Sequence, residues 1–244
     1  MPRSGLLARA LTSLAALLPL TFALAFAPAT PAYATSEAMP LALVVGDSIS
    51  LGTGADPGFT YPEVMADYCD IDCHVRNVSH GGLCLITYGC GYKKRLVDIF
   101  DKELIQRRPQ MIVVGIGRND LCHATNAQMR SGLRQLKAKA ARAEIPILFN
   151  TIAPHGEKYG HWPCEEQRLE LNAWMREKLP VNDLARLLID PRTSMLNSRY
   201  DCGDGLHLNT AAHRMIGTFL YRYMVDRLDL PHVAVAAPNP PRTP

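Results

Sequence analysis

Ser48 stands after a short apolar run and a glycine, in Val44-Val45-Gly46-Asp47-Ser48-Ile49-Ser50. A hydroxyl at a strand-to-helix turn suits a nucleophile, because the backbone N–H groups of the turn can hold negative charge beside it. A serine there also serves as an ordinary helix cap, so position alone assigns no chemistry. A serine nucleophile needs an imidazole base within hydrogen-bond reach and a carboxylate that fixes the tautomer of that imidazole. Asp204-Gly205-Leu206-His207 supplies both on one short turn. The three-residue spacing lets Asp204 meet one ring nitrogen while the other points toward Ser48. Glycines at 203 and 205 imply the unusual backbone that such a loop requires. The chemistry expected of this set is acyl transfer, with Ser48 attacking, His207 moving the proton and Asp204 orienting the ring. It calls for no metal and no organic cofactor.

Other polar residues carry weaker signals. His123, His155 and His161 lack the helical two-histidine spacing of a metal site, and the expectation for all three is solvent exposure. Zinc on the cysteines is disfavoured because paired Cys-x-x-Cys knuckles are absent. The seven cysteines are expected to form up to three disulfides with one left over. Cys69–Cys73 and Cys84–Cys90 are candidate pairs, and the full connectivity is open. The segment 151–163, with two prolines and two glycines, reads either as a wall of the substrate pocket or as an ordinary surface loop.

The elements that must position these residues alternate along the chain. Strands are predicted over 41–45, 73–78, 111–114, 145–149 and 187–189. Helices are predicted over 61–68, 93–106, 127–143, 165–178 and 209–228, the last with Met215, Ile216, Phe219, Leu220 and Tyr223 on one face. Such alternation implies a parallel sheet of about five strands covered on both sides, a three-layer α/β/α domain of flavodoxin-like type. In these sheets a ligand sits beyond the carboxyl ends of the strands. Gly46-Asp47-Ser48, Gly81-Gly82 and Gly117-Arg118-Asn119-Asp120 all fall at those ends.

Four of these segments resemble, in order, the sequence blocks of the SGNH hydrolases, also called GDSL esterases and lipases. Gly46-Asp47-Ser48-Ile49-Ser50 is similar to the first block, which carries the nucleophile. Asn77-Val78-Ser79-His80-Gly81-Gly82 is similar to the second, in which a glycine five residues after the asparagine donates its N–H to the oxyanion hole. Gly117-Arg118-Asn119-Asp120 is similar to the third, whose asparagine donates to the same oxyanion. Asp204-Gly205-Leu206-His207-Leu208 is similar to the fifth, with the catalytic Asp and His. The resemblance thus implies Ser48, Asp204 and His207 as catalytic residues, with the Ser48 and Gly82 N–H groups and the Asn119 amide as oxyanion donors. Gly81 competes with Gly82, and spacing from Asn77 favours Gly82. Leu83-Cys84 stands where the family often has a pair such as Asp-Thr. Arg118, at the variable position of the third block, either makes a surface ion pair or touches an anionic substrate.

The activity implied is hydrolysis of carboxylic esters with short acyl or O-acetyl groups. Candidate substrates are acetylated envelope or plant polysaccharides, lysophospholipids and diffusible esters. Two other readings use the same fold: an O-acyltransferase acting on envelope glycans, and a catalytically silent glycan-binding module. The complete residue set speaks against the second.

Residues 1–34 read as an export signal: Arg3 and Arg9, an apolar stretch from Leu11 to Ala27, then Ala32-Tyr33-Ala34 as a cleavage site. The domain itself would span 35–231, with 232–244 a proline-rich disordered tail. The formal charge of +3 falls to +1 once Arg3 and Arg9 leave with the signal. No basic footprint for nucleic acid is evident. Outside the signal no stretch is long and apolar enough to span a bilayer, so a secreted or periplasmic protein is expected.

Overall fold

The computed structural model describes residues 39–230 apart from Ile71, Gly89, Gly160 and His161. The signal read over 1–34 and the tail over 232–244 lie outside the described residues. Five strands, β1 (Leu41–Gly46), β2 (His74–Asn77), β3 (Met111–Gly115), β4 (Ile147–Asn150) and β5 (Val181–Asn182), make one sheet in the order β2-β1-β3-β4-β5. Every neighbouring pair is parallel. Helices α1 (Ser48–Leu51), α2 (Tyr61–Cys69), α3 (Leu96–Glu103), α4 (Asn126–Arg142), α5 (Glu165–Lys178), α6 (Leu184–Leu188) and α7 (Thr210–Leu228) connect and cover it.

The two-residue period of a strand explains the layers. Ala42, Val44, Met111, Val113 and Leu148 face one way and pack with residues of α2, α6 and α7, among them Met65, Leu188, Ile216 and Leu220. Leu43, Val45, Ile112, Val114 and Phe149 face the other way onto α3, α4 and α5, through Phe100, Leu133, Leu136 and Leu171. Because β1 and β3 are apolar on both faces, they fit only in the middle of such a sandwich. α2 and α7 approach closely at Gly217, where a Cβ would strike Val64 and the Tyr61 carbonyl oxygen. Thr60 with Glu63, and Thr125 with Gln128, form reciprocal caps that fix where α2 and α4 begin.

Two predicted elements differ. The strand predicted over 187–189 is mostly helix: Asp183 caps α6 by accepting from the Arg186 N–H, and Leu184 and Leu188 turn inward together. The true fifth strand is only Val181–Asn182, too short to show a period. The helix predicted over 93–106 begins at Leu96, since Arg95 is tied to the preceding loop through the Ile86 carbonyl. It ends at Glu103 and continues as a 3₁₀ turn, Ile105–Arg107. The other strands and helices keep their predicted places to within one or two residues.

Candidate active site

The β1–β3 register sets Gly46 opposite Gly115 and so levels the carboxyl ends of the two central strands. The chain then turns at Asp47, whose N–H donates to the Gly115 carbonyl at 3.2 Å, and whose carboxylate caps α1 by accepting from the Ile49 N–H at 3.0 Å. Ser48 is the first residue of α1 and is half-buried. Burial pushes the Asp47 carboxyl up to about 6, against the lowering influence of the Ile49 N–H and the charge of Arg118.

Ser48 Oγ lies 2.8 Å from His207 Nε2, and His207 Nδ1 lies 2.6 Å from Asp204 Oδ2. The other Asp204 oxygen accepts from the N–H groups of Leu206 and His207, at 2.8 and 2.7 Å. Burial alone would raise the Asp204 carboxyl. The His207 backbone and ring donors and the Leu206 N–H outweigh it and hold this group well below the usual carboxylate range. A fixed carboxylate on Nδ1 leaves Nε2 as the acceptor of a proton from Ser48, which is the geometry general-base activation requires. The loop itself is braced from segment 151–163: Gly156 N–H donates to the Gly205 carbonyl at 2.7 Å, and Lys158 Nζ to the Gly203 carbonyl at 2.9 Å. Asp201 and Asp204 gather with Cys202. Asp201 Oδ1 is engaged there by the N–H groups of Gly203 and Gly205.

The second predicted block also gathers here. Asn77 joins β2 to α1 by donating to the Ser50 carbonyl at 3.0 Å and accepting from the Ser79 N–H. His80 N–H donates to the Gly46 carbonyl. Gly82 has φ +70°, and a Cβ there would collide with the Cys90 carbonyl oxygen, whereas Gly81 meets only the tip of Leu51. Only Gly82 is therefore demanded by its backbone. The Asn119 amide donates to the Leu83 carbonyl at 3.0 Å, which leaves its second hydrogen free of that bond.

Several residues that matter to this architecture gave no separate signal. Asp120 is fully buried and accepts from the N–H groups of Leu85, Ile86 and Thr87 and from the Thr87 hydroxyl, at 2.7–3.1 Å. It clamps the chain just beyond Gly82 to the turn that carries Asn119. Its place next to the asparagine of the third block was the available clue. His155, expected at the surface, is buried and lies 3.3 Å from Glu165, edge-on to Trp162. The reason is that residues 151–156 fold inward, with Gly156 bonded to the turn that carries Asp204 and His207. His123 is exposed as expected, and His161 lies outside the described residues. Among the described residues Arg118 makes no ion pair within salt-bridge distance. It is buried, with its guanidinium carbon 3.9 Å above the Trp162 ring. A separate cavity of about 570 Å³ lies at the amino ends of β1, β2 and β3, lined by Arg76, Arg107 and Arg108 among others, away from Ser48.

The cysteines form Cys69–Cys73, Cys84–Cys90 and Cys122–Cys164, leaving Cys202 free and exposed. The first two are the neighbouring pairs expected. The third, across a separation of 42 residues, is visible only in space.

A three-layer α/β/α domain that holds a serine, histidine and aspartate in one hydrogen-bonded line beyond the carboxyl ends of its strands has the architecture of the SGNH hydrolases. The model of the GDSL-like Lipase/Acylhydrolase family matches residues 44–215, most of the chain. The chain belongs to this family and is a carboxylic ester hydrolase. Solved structures agree on the fold. The lipase/acylhydrolase from Enterococcus faecalis superposes with a TM-score of 0.63 at 18% identity, covering 81% of this chain and 100% of that one. A carbohydrate acetylesterase family member from Sinorhizobium meliloti gives 0.61 at 19% identity, with 79% and 100% covered. The native aryl esterase of M. smegmatis gives 0.61 at 16%, with 77% and 99% covered. A search among curated proteins returned no match.

Proposed function

We propose that the protein is an exported serine esterase that removes short acyl or O-acetyl groups through a covalent acyl-Ser48 intermediate. The observation that carries the reading is the 2.8 Å contact between Ser48 Oγ and His207 Nε2, with Asp204 2.6 Å behind the ring. His207 takes the hydroxyl proton as Ser48 Oγ bonds to the ester carbonyl carbon. The tetrahedral oxyanion is received by the Ser48 and Gly82 N–H groups and the Asn119 amide. His207 then returns the proton to the departing alcohol as the C–O bond breaks. Water, deprotonated by the same nitrogen, attacks the acyl carbon and releases the acid and Ser48.

The likeness to a carbohydrate acetylesterase family member supports acetyl groups on a glycan as the first substrates to try. Export is supported by the signal-like residues 1–34 and by three disulfides, which persist in oxidising compartments. Among the described residues no helix is long and apolar enough to cross a membrane. The test is a panel of 4-nitrophenyl esters of increasing chain length together with acetylated glycans, assayed with the wild type and Ser48→Ala. Loss of the nucleophile should lower kcat by about 10⁴-fold or more while the protein stays folded. Activity of Ser48→Ala within about tenfold of wild type would remove the serine mechanism.

A further inference from the structure

Arg118 is unusual for a guanidinium: it is 9% exposed, yet among the described residues it has no carboxylate partner, and its Nη1 is sealed without an acceptor. Its contacts are aromatic. The cation lies 3.9 Å above the ring of Trp162 and 5.8 Å from that of Tyr159. An aromatic face attracts the charge but accepts none of the in-plane N–H groups, so Nη1 stays unmet. A buried cation without hydrogen-bond partners is costly, and such a residue is retained where something else completes it.

The neighbouring acids do not complete it. Glu165 is committed to Arg168 and to His155. Asp47 caps α1 through the Ile49 N–H; its charge favours the Arg118 cation without a hydrogen bond between them, and both line a cavity of about 20 Å³. Burial draws the guanidinium down to about 10, which still leaves it charged at neutral pH. Its position is equally specific. Arg118 directly precedes Asn119, and Tyr159 and Trp162 belong to the segment whose Gly156 and Lys158 hold the turn bearing Asp204 and His207. The cation is therefore carried by the residue next to the proposed oxyanion donor and lies against two aromatic rings of the segment that braces the Asp204–His207 turn.

We propose that Arg118 binds a carboxylate on the ester substrate, so that the enzyme prefers anionic esters over neutral ones of the same shape. This rests on the serine esterase reading above. A carboxylate matches the planar donor fork of a guanidinium, with Trp162 holding the plane of that fork from one face. The charge belongs either to the acyl part or to the alcohol part, and matched substrates separate the two. For the acyl side the pair is 4-nitrophenyl hemisuccinate and 4-nitrophenyl 4-methylpentanoate. For the alcohol side it is an acetylated hexuronic acid and the corresponding acetylated hexose.

The measurement is kcat/KM for all four at low ionic strength, with the wild type, Arg118→Gln and Arg118→Lys. The expected result is a preference of about tenfold or more for the anionic member of one pair, weakened by added salt and carried mainly by KM. Arg118→Gln should remove that preference, and Arg118→Lys should keep part of it, since the charge remains and the fork is lost. Equal rates within both pairs for the wild type would overturn the proposal, as would a preference that survives in Arg118→Gln. A kcat loss shared equally by charged and neutral esters would also overturn it, showing that Arg118 serves only Asp47. Should Arg118→Gln fail to fold, Arg118→Lys decides: an anionic preference as large as that of the wild type would overturn the proposal. Hydrolysis unaffected by Ser48→Ala would instead strike the underlying mechanism.

Discussion

Ser48, His207 and Asp204 come from opposite ends of the chain, yet each is placed by local chemistry that its own segment supplies. Asp47 caps the helix that Ser48 begins, and the Leu206 and His207 N–H groups fix Asp204 behind the imidazole. Asn119 offers the sharpest test at this scale. One hydrogen of its amide is used on the Leu83 carbonyl, and the other is assigned to an oxygen that bears full charge only after attack. Asn119→Ala should therefore lower kcat by about 10²–10³ with little change in KM. Loss of the Leu83 bond should lower stability by only about 1 kcal/mol. Steady-state kinetics and a melting curve on one preparation separate these. A variant that is destabilised but fully active would show that the amide serves the loop alone.

At the scale of elements, two of the three proposed oxyanion donors, Gly82 and Asn119, sit on loops that are fastened by bonds as well as packed through Leu83, Leu85 and Leu121. Asp120 gathers three N–H groups and a hydroxyl from the segment after Gly82, and Cys84–Cys90 closes that segment on itself. Cys122–Cys164 joins the turn after Asn119 to the start of α5, at the end of the wall segment. A cross-link over 42 residues restrains the unfolded chain about twice as much as one over four, so this bridge should make the largest single contribution among the three disulfides. Replacing Cys122 and Cys164 together by serine should cost roughly 2–4 kcal/mol in chemical unfolding, against less for Cys69 and Cys73. Equal losses for the two double variants would show that chain entropy is not what these bridges supply.

Across the whole molecule, two buried groups, one beyond the end of β1 and one on α7, oppose each other with pH. The Asp47 carboxyl is raised from 3.8 to about 6. The native state then holds more protons than the unfolded one between those values, and stability falls as pH rises through them. The His213 imidazole is drawn down by burial from 6.5 to about 4, and its Nδ1 accepts from the Tyr61 N–H. Here the unfolded state holds more protons, so stability rises with pH over nearly the same window. Each shift exceeds two pH units and corresponds to roughly 3 kcal/mol, so in the wild type they largely offset. Asp47→Asn, which can still accept from the Ile49 N–H, should raise Tm above wild type at neutral pH and lose that gain near pH 4. His213→Gln should shift the difference from wild type the opposite way, growing more unfavourable from pH 4 to 6.5. Parallel Tm curves for the three proteins would contradict both assignments.

Much of this was legible before any coordinates. Two-faced apolar runs such as 111–114 dictate a covered parallel sheet, and glycine- and asparagine-rich segments at strand ends dictate where chemistry can occur, because both follow from local pattern. Neighbouring cysteines could be paired for the same reason. Tertiary structure alone decided what depends on segments far apart in sequence. β5 is too short to carry a period and exists because β4 offers it an edge. Cys122 finds Cys164 across 42 residues, and His155 is buried because residues 151–156 fold inward beside the Asp204–His207 turn. In sequence Arg118 reads either as a surface ion-pair partner or as a contact for an anionic substrate. Only the tertiary structure buries it under Trp162 with no carboxylate bonded to it among the described residues, since burial and the identity of partners are set by packing and not by spacing.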